Sequence, residues 1–233
     1  MSEVLLKGKS KVVRQGVCDD SLVIEFLDCV TAFNGDKKAE FVGKGALCAA
    51  ISGIIFRHLE KHGIKTHLIK DVSETSVSVK KADIIPVEVV VRNKSAGGFA
   101  KKYGVDEGSS LKNVVVEFSY KSDTLGDPLM NESQITALGL ADQSELRDMA
   151  DEALKINQLL VNFFASVGIE LADFKLEFGR YQDEIILCDE ISPDSCRLWD
   201  IATGERLDKD RFRRDLGDLL EGYAEVFNRL NSR

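Results

Sequence analysis

The chain has 233 residues, of which 44% are hydrophobic and 30% charged, and a formal net charge of −8. The negative balance argues against broad nucleic-acid binding, which depends on lysines and arginines that neutralise phosphates. No apolar run approaches the roughly 20 residues of a membrane span, and residues 1–11 lack a signal-peptide pattern. We therefore expect a cytoplasmic globular protein without nucleic-acid or membrane partners.

Short strands joined by turns are predicted over the first 40 residues, with one turn at Asn34-Gly35. A helix follows from Gly45 to Lys61, because its apolar residues recur on one side. The segment from Thr66 to Arg92 again predicts strands. Residues 1–83 are thus expected to form a β-rich lobe with one helix.

A larger α+β lobe is expected over residues 84–233. A short helix is predicted in SAGGFAKKYG, and a long one begins near Asp142 with an acidic variant of the capping box. A second long helix is predicted from about Asp208 to Asn231. Between the long helices, LADFKLEFG and EIILCDEI predict a β-hairpin. With no flexible linker in the chain, we expect the two lobes to share a cleft.

The segment LADFKLEFG, residues 171–179, alternates apolar and charged residues, as a strand with one buried face does. Its other face carries Asp173, Lys175 and Glu177. Two interpretations fit equally well. Glu177 and Asp189 of the next strand can converge on Mg²⁺, which takes one or two protein carboxylates. Alternatively, Lys175 pairs with both acids on an ordinary sheet face.

Basic residues form three clusters, each of which alone is more typical of a solvated surface. Lys7, Lys9 and Lys11 alternate and are expected to point the same way. Arg92 and Lys94 precede a turn and a helix start, which attracts anions. The third cluster consists of Arg197, Lys209, Arg211, Arg213 and Arg214.

Several common catalytic sites are not supported by the sequence. No Walker A loop or complete dinucleotide fingerprint is present. The three histidines lie between residues 58 and 67 and are expected to be exposed helix residues, with a metal pair at His58 and His62 less favoured. Five cysteines without CxxC spacing predict free thiols rather than a zinc site or disulfides.

Five motifs occur together in an order and spacing that resemble the SAICAR synthetase family: PVEVVVRNKSAGG, DPLMNES, LADFKLEFG, DEISPDSCRLWD and DKDRFRRDLG. The opening KGKSK and the segment from TAFNG to GKG also fit. The resemblance covers essentially the whole chain, and several motifs in register are more specific than any one of them.

The resemblance implies an ATP-dependent ligase of de novo purine biosynthesis. It would join L-aspartate to carboxyaminoimidazole ribonucleotide (CAIR) through an acyl phosphate, giving SAICAR, ADP and phosphate. The implied α+β fold has a small antiparallel N-terminal lobe, similar to that of protein kinases, packed on an ATP-grasp-related α+β lobe. ATP would lie in the cleft between them, and a homodimer is implied.

The resemblance also assigns site residues. Lys9, Lys11, Lys121 and the backbone around Lys81 to Ile84 would bind ATP. Glu177 and Asp189 would hold Mg²⁺, with Asp173 and Lys175 beside them at the reacting carboxylate. The ribonucleotide would be bound by Arg92, Gly98, Asp194 and Arg197.

Gly98 and Cys196 depart from the family, which commonly has a serine at each position. The missing hydroxyls would have to be replaced by backbone N–H groups, Ser95 or Ser195, or the ribonucleotide binds differently. A ligase for a related ribonucleotide is the alternative enzyme. A regulatory nucleotide-binding module is the alternative of another class, and the retained carboxylates Glu177 and Asp189 speak against it.

Overall fold

The computed structural model describes residues 3–232, with only the backbone of residue 34. Met1 and Ser2, part of the segment searched for a signal peptide, lie outside the described residues. The strands of the described chain are β1 (Val4–Lys7), β2 (Lys11–Gln15), β3 (Ser21–Phe26), β4 (Cys29–Ala32), β5 (Lys37–Glu40), β6 (Leu68–Ser73), β7 (Ser76–Lys80), β8 (Asp83–Lys94), β9 (Ser110–Tyr120), β10 (Leu129–Met130), β11 (Ile169–Tyr181), β12 (Glu184–Cys188) and β13 (Cys196–Asp200). Its helices are α1 (Lys44–Lys61), α2 (Gly97–Tyr103), α3 (Glu132–Ala137), α4 (Gln143–Ala165), α5 (Asp210–Arg213) and α6 (Leu219–Asn231). Within residues 3–232, no helix is both long and apolar enough to cross a membrane.

The N-terminal part is an antiparallel five-stranded sheet in the order β1-β2-β3-β7-β6, accompanied by the separate β4–β5 hairpin. Helix α1 packs on it through Ile51, Ile55 and Leu59, which have no exposed surface. Burying each such side chain contributes about 1.5–3 kcal/mol. The prediction of a β-rich segment with one helix is confirmed.

The C-terminal part is a six-stranded antiparallel sheet in the order β10-β9-β8-β11-β12, with β13 also paired to β11. Helix α4 covers one face of it through an apolar stripe that includes Met149, Ile156 and Leu160. Asp142 caps this helix in a complete capping box with Glu145. Both the hairpin of β11 with β12 and the capped helix were predicted correctly.

A single continuous core joins the two sheets, from Phe26 and Val79 in the first to Phe178 and Leu187 in the second. Backbone hydrogen bonds also link them, since the amide of His67 donates to the carbonyl of Leu187 at 2.9 Å. The first sheet ends at Lys80 and the second begins at Asp83. The two parts therefore pack directly on each other.

Two predicted elements are wrong in their extent. The helix predicted from Asp208 to Asn231 is broken between α5 and α6, where Asp215 and Gly217 adopt left-handed φ angles of 53° and 126°. Asp218 then caps α6 by accepting a hydrogen bond from the amide of Leu220. The strand predicted over residues 184–191 ends at Cys188, because Asp189 has a φ of 59°. Strands β9 and β13 were not anticipated.

Candidate active site

A cleft of about 510 Å³ lies between the two sheets. Its wall contains eight basic side chains (Lys9, Lys11, Arg92, Lys121, Lys175, Arg197, Lys209 and Arg213) and eight acidic ones (Glu88, Asp123, Asp127, Asp173, Glu177, Asp189, Glu190 and Asp194). The formal charges balance, although the whole chain carries −8. The cleft can therefore receive an anionic ligand by exchanging internal ion pairs for pairs with the ligand.

One end of the cleft is built on the register between β11 and β12, which places Glu177 opposite Cys188, the residue before Asp189. Glu177 is buried, and its two carboxylate oxygens lie 2.7 Å from the Lys175 ammonium and 3.1 Å from that of Lys121. Lys175 also donates to Glu88 at 2.6 Å. The charged face of β11 therefore lines the cleft.

Lys11 connects this end to the N-terminal sheet, because its ammonium contacts Asp189 and lies 2.9 Å from Glu190. Burial lowers the pKa of Lys11, but the two carboxylates outweigh it and raise that pKa well above its usual value. Burial raises the pKa of Asp189, yet Lys11 and Lys175 bring it well below its ordinary range. Both groups are charged at neutral pH.

The fit to Mg²⁺ can be judged from these donors. Glu177 on β11 and Asp189, the residue after β12, supply carboxylate oxygens, and the ammonium groups of Lys175 and Lys11 neutralise them. Carboxylates of this number beside a space for phosphates are the protein ligands that Mg²⁺ accepts. The residues fit a magnesium site, and the metal assignment stays a prediction.

At the other end, two arginines converge on Asp173. Arg92 Nη1 and Arg197 Nη1 lie 2.6 and 2.8 Å from Asp173 Oδ2. Arg92 is also paired with Glu117 at 2.7 Å, and Arg197 with Asp210 at 3.0 Å. Asp173 therefore pairs with arginines from β8 and β13, whereas the sheet-face interpretation expected it to pair with Lys175. Of that interpretation, only the Lys175–Glu177 pair is present among the described residues.

The start of α2 lies beside Arg197. A methyl group at Gly97 would lie only 2.3 Å from Arg197 Nη2, whereas one at Gly98 would meet nothing within 4 Å. Gly98 does not line the cleft, so its role in substrate binding stays a prediction. Sequence inspection missed Gly97, whose φ of 53° and contact with Arg197 were visible only in the fold.

Between the two ends, Asp194 is held by residues that the sequence did not reveal. The ammonium of Lys44, which is 1% exposed, pairs with Asp194, and the Tyr223 hydroxyl donates to it at 2.6 Å. Burial raises the pKa of Asp194, while Lys209 and Lys44 together lower it below the ordinary value. A lysine at a helix start gave no sequence signal for burial.

The two departures from the family have different surroundings. Cys196 lines the cleft and is buried, and burial raises the pKa of its thiol. Ser195 is engaged in its own turn, accepting from the Ser192 amide at 3.1 Å. Ser95 has no exposed surface and does not line the cleft. Ser95 is therefore not positioned to replace a missing hydroxyl.

Some predicted residues lie elsewhere. Lys9 and Lys11 line the cleft, but Lys7 does not, because the chain reverses between β1 and β2 and breaks the alternation. Lys81 follows β7 and Ile84 lies at the start of β8, both outside the cleft lining, so the adenine assignment stays a prediction. The expectation that all histidines are exposed is wrong for His67, which is 3% exposed.

The described part of the chain contains two alternative candidate sites. A wider groove of about 1390 Å³ lies between β9, β10 and α3, but it gathers few convergent charges. Cys48, Glu190 and Asp194 have potential metal-binding atoms within 4.8 Å of one another. The Lys44 ammonium already supplies the positive charge beside them, so the balanced cleft is the better site.

Comparisons with known proteins agree on one family. The family model described as SAICAR synthetase matches residues 4–230. A curated phosphoribosylaminoimidazole-succinocarboxamide synthase from Lachnoclostridium phytofermentans is 52% identical over 228 residues, covering 98% of this chain and 97% of that protein. One from Finegoldia magna is 53% identical over 98% of this chain and 99% of that protein.

Solved structures are also similar to this chain over nearly its whole length. The phosphoribosylaminoimidazole-succinocarboxamide synthase of Ehrlichia chaffeensis superposes with a TM-score of 0.97 at 43% identity, covering 99% of each chain. A structure described as SAICAR synthetase (Type-2) in complex with ADP gives a TM-score of 0.96 at 46% identity, covering 99% of this chain and 98% of the other. The mixed α/β fold with antiparallel sheets is thus common to these proteins.

Proposed function

The chain belongs to the SAICAR synthetase family of enzymes, and on that premise we propose that it joins L-aspartate to CAIR at the expense of ATP. The products are SAICAR, ADP and phosphate. One observation carries the proposal: Glu177 and Asp189 line the same cleft as the Arg92–Arg197 pair, together with lysines from both sheets. The related structure with ADP supports the use of a nucleotide.

The reaction needs an activated carboxylate, since a carboxylate ion is a poor electrophile. A carboxylate oxygen of CAIR attacks the γ-phosphorus of ATP, ADP leaves, and an acyl phosphate forms. The aspartate amine then attacks the acyl carbon, phosphate leaves and the amine loses a proton. Phosphoryl transfer asks the protein mainly for positioning and charge neutralisation, which the cleft's lysines and arginines can provide.

Lys9, Lys11 and Lys121 are proposed to hold the ATP phosphates, leaving their present partners Asp123, Asp189 and Glu177. The backbone from Lys81 to Ile84 would line the adenine. Mg²⁺ held by Glu177 and Asp189 would neutralise charge on the transferred phosphoryl group. Lys175 remains beside Glu177 and orients the reacting carboxylate together with Asp173.

Arg92 and Arg197 are proposed to bind the ribonucleotide phosphate, because guanidinium groups recognise such anions with two parallel hydrogen bonds. Asp173 contacts both arginines and keeps their planes in place. Asp194 would accept a hydrogen bond from the ribonucleotide, and Gly98 would contact it through its backbone.

A lobe boundary near residue 83, with a kinase-like small lobe on an ATP-grasp-related one, belongs to the same proposal. So do a homodimer and a cytoplasmic location. Sedimentation of the purified protein would test the dimer, and a monomer at micromolar concentration would contradict it.

Steady-state assays test the function directly. Purified protein with ATP, Mg²⁺, CAIR and L-aspartate should release ADP and form SAICAR, with no release when either CAIR or aspartate is omitted. Turnover with a different ribonucleotide in place of CAIR would favour the related ligase. Tight ATP binding without product would favour a regulatory module.

A further inference from the structure

Lys209 and Arg213 line the cleft, yet neither is needed for the assignments above. Lys209 precedes the short helix α5 and Arg213 is its last residue, and the first residue of α5, Asp210, connects Arg213 to the arginine end. One oxygen of Asp210 lies 2.6 Å from Arg213 and the other 3.0 Å from Arg197. The carboxylate thus fixes Arg213 next to the proposed ribonucleotide site.

The Lys209 ammonium makes no hydrogen bond or ion pair with any residue between 3 and 232. Burial lowers its pKa, the negative charge of Asp194 raises it, and the positive charges of Arg213 and Lys44 lower it again, so that it lies below the usual lysine value. Removing an ammonium from water without a counterion is costly. An anionic ligand at this position would offset that cost.

The charges that act on Lys209 belong to both ends of the cleft. Arg213 shares the Asp210 carboxylate with Arg197 at the arginine end, and Glu190 contacts Lys11 at the metal end. A ligand on Lys209 would therefore adjoin both the proposed phosphates and the proposed ribonucleotide.

The β4–β5 hairpin and its turn contribute Thr31, Ala32, Phe33 and Gly35 to the cleft lining. Lys37 of this hairpin donates to the carbonyl of Phe212 at 2.6 Å and to Asp215 at 2.7 Å. The hairpin is thereby fixed to the residues on either side of Arg213.

We propose that Lys209 and Arg213 form the binding subsite for the two carboxylates of the amino-acid co-substrate, L-aspartate. This inference rests on the proposed function and adds the residues that select a dicarboxylate. Two cations match two carboxylates, and the position between the phosphate and ribonucleotide ends lets the amine reach the activated carbon. The remaining lysines and arginines of the cleft are already assigned to ATP and CAIR in the proposed function.

Kinetics of Lys209→Met test the subsite, because methionine keeps an unbranched, flexible side chain of similar length and removes the ammonium. The KM for L-aspartate should rise about tenfold to a hundredfold, the loss of one charge-assisted hydrogen bond. The KM for ATP should stay at the wild-type value, and the KM for CAIR should rise much less than that for aspartate, because Asp194 keeps its pair with Lys44 when the Lys209 charge is removed. The melting temperature should not fall, since the Lys209 ammonium makes no hydrogen bond or ion pair with the described residues that could be lost. Lys209→Arg should recover part of the aspartate affinity.

Arg213→Gln should show the same selective rise in the aspartate KM. Arg214→Gln is the matched control, because Arg214 is adjacent in sequence but pairs with Glu107 outside the cleft; its effects should stay within about twofold, as for other exposed pairs. A rise in the KM for CAIR or ATP alone in Lys209→Met, or an unchanged KM for aspartate, would overturn the subsite.

Succinate separates this inference from the proposed function, since it has both carboxylates but no amine and cannot react. Calorimetric titration of succinate into wild type with ADP and Mg²⁺ should give binding that Lys209→Met loses and Arg214→Gln keeps. If succinate binds in this pattern but no SAICAR forms in the steady-state assay, the proposed ligase activity is refuted and the dicarboxylate subsite is retained. Aspartate turnover with equal succinate binding in wild type and Lys209→Met would retain the ligase and refute the subsite. Wild-type protein that binds no succinate would also refute the subsite.

Discussion

Substitution of Gly97 by alanine tests how closely the start of α2 packs on the proposed ribonucleotide site. The new methyl group would lie 2.3 Å from Arg197 Nη2 and 2.7 Å from Cζ. The guanidinium cannot simply yield, because Asp173 holds it at 2.8 Å and Asp210 at 3.0 Å. Either the helix start or Arg197 must move.

The magnitude follows from two costs. A side chain at a φ of 53° costs about 1–2 kcal/mol. Displacing Arg197 from one of its carboxylates loses a charged hydrogen bond of about 1.5–3 kcal/mol. We expect a total loss of about 2.5–5 kcal/mol, divided between the free energy of unfolding and the binding of CAIR.

Gly98→Ala is the control, since its methyl group would meet nothing within 4 Å. Thermal unfolding and the KM for CAIR should be measured for both variants. Gly97→Ala should lower the melting temperature and raise the KM for CAIR at least about tenfold, as a loss of 1.4 kcal/mol in binding alone would. If Gly97→Ala matched wild type in both measurements, Arg197 would not be packed as described.

Three further predictions concern the carboxylate of Glu177, the glycine at position 98, and the effect of pH on stability through His67. Glu177→Gln should lower kcat by about a hundredfold or more, with a moderate fall in melting temperature because its buried pair with Lys175 is lost while Lys175 keeps Glu88. Glu184→Gln at the exposed end of the same hairpin should leave kcat unchanged; normal turnover of Glu177→Gln at limiting Mg²⁺ would remove the metal role. Gly98→Ser restores the hydroxyl usual in the family and should lower the KM for CAIR, and an increase would indicate that CAIR approaches this backbone too closely for a side chain. Burial lowers the pKa of His67 to about 4. As pH falls below about 6.5, the unfolded chain therefore binds a proton at this histidine before the folded chain does. The free energy of unfolding should consequently drop by about 2 kcal/mol between pH 7 and pH 5. His67→Gln should reduce that drop, and a pH profile equal to that of the wild type would contradict the assignment.

Local patterns in the sequence predicted most of the fold's elements. The alternation in β11 indicated its buried and charged faces, and the capping box at Asp142 marked the start of α4, because both signals depend only on neighbouring residues. The break between α5 and α6 was missed because apolar periodicity continues across it. Its cause is the left-handed backbone at Asp215 and Gly217, which periodicity does not report.

The site was predicted less completely than the fold. Glu177, Asp189, Arg92 and Arg197 stood in recognisable motifs, and the structure brings them into one cleft. Lys44 gave no such signal, since its burial against Asp194 arises from the meeting of α1 with a loop about 150 residues away. Long-range contacts of this kind depend on the assembled tertiary structure and leave no local pattern.

The arrangement of β11 also bears on how the chain folds. The strand pairs with β8 on one edge and with β12 and β13 on the other, and its side chains alternate between the core and the cleft. A slip of one residue would turn Asp173, Lys175 and Glu177 toward the apolar core and Phe174, Leu176 and Phe178 away from it. Misaligned intermediates would therefore be strongly disfavoured, and regained enzymatic activity after dilution from denaturant would report that this central strand has reached its native alignment.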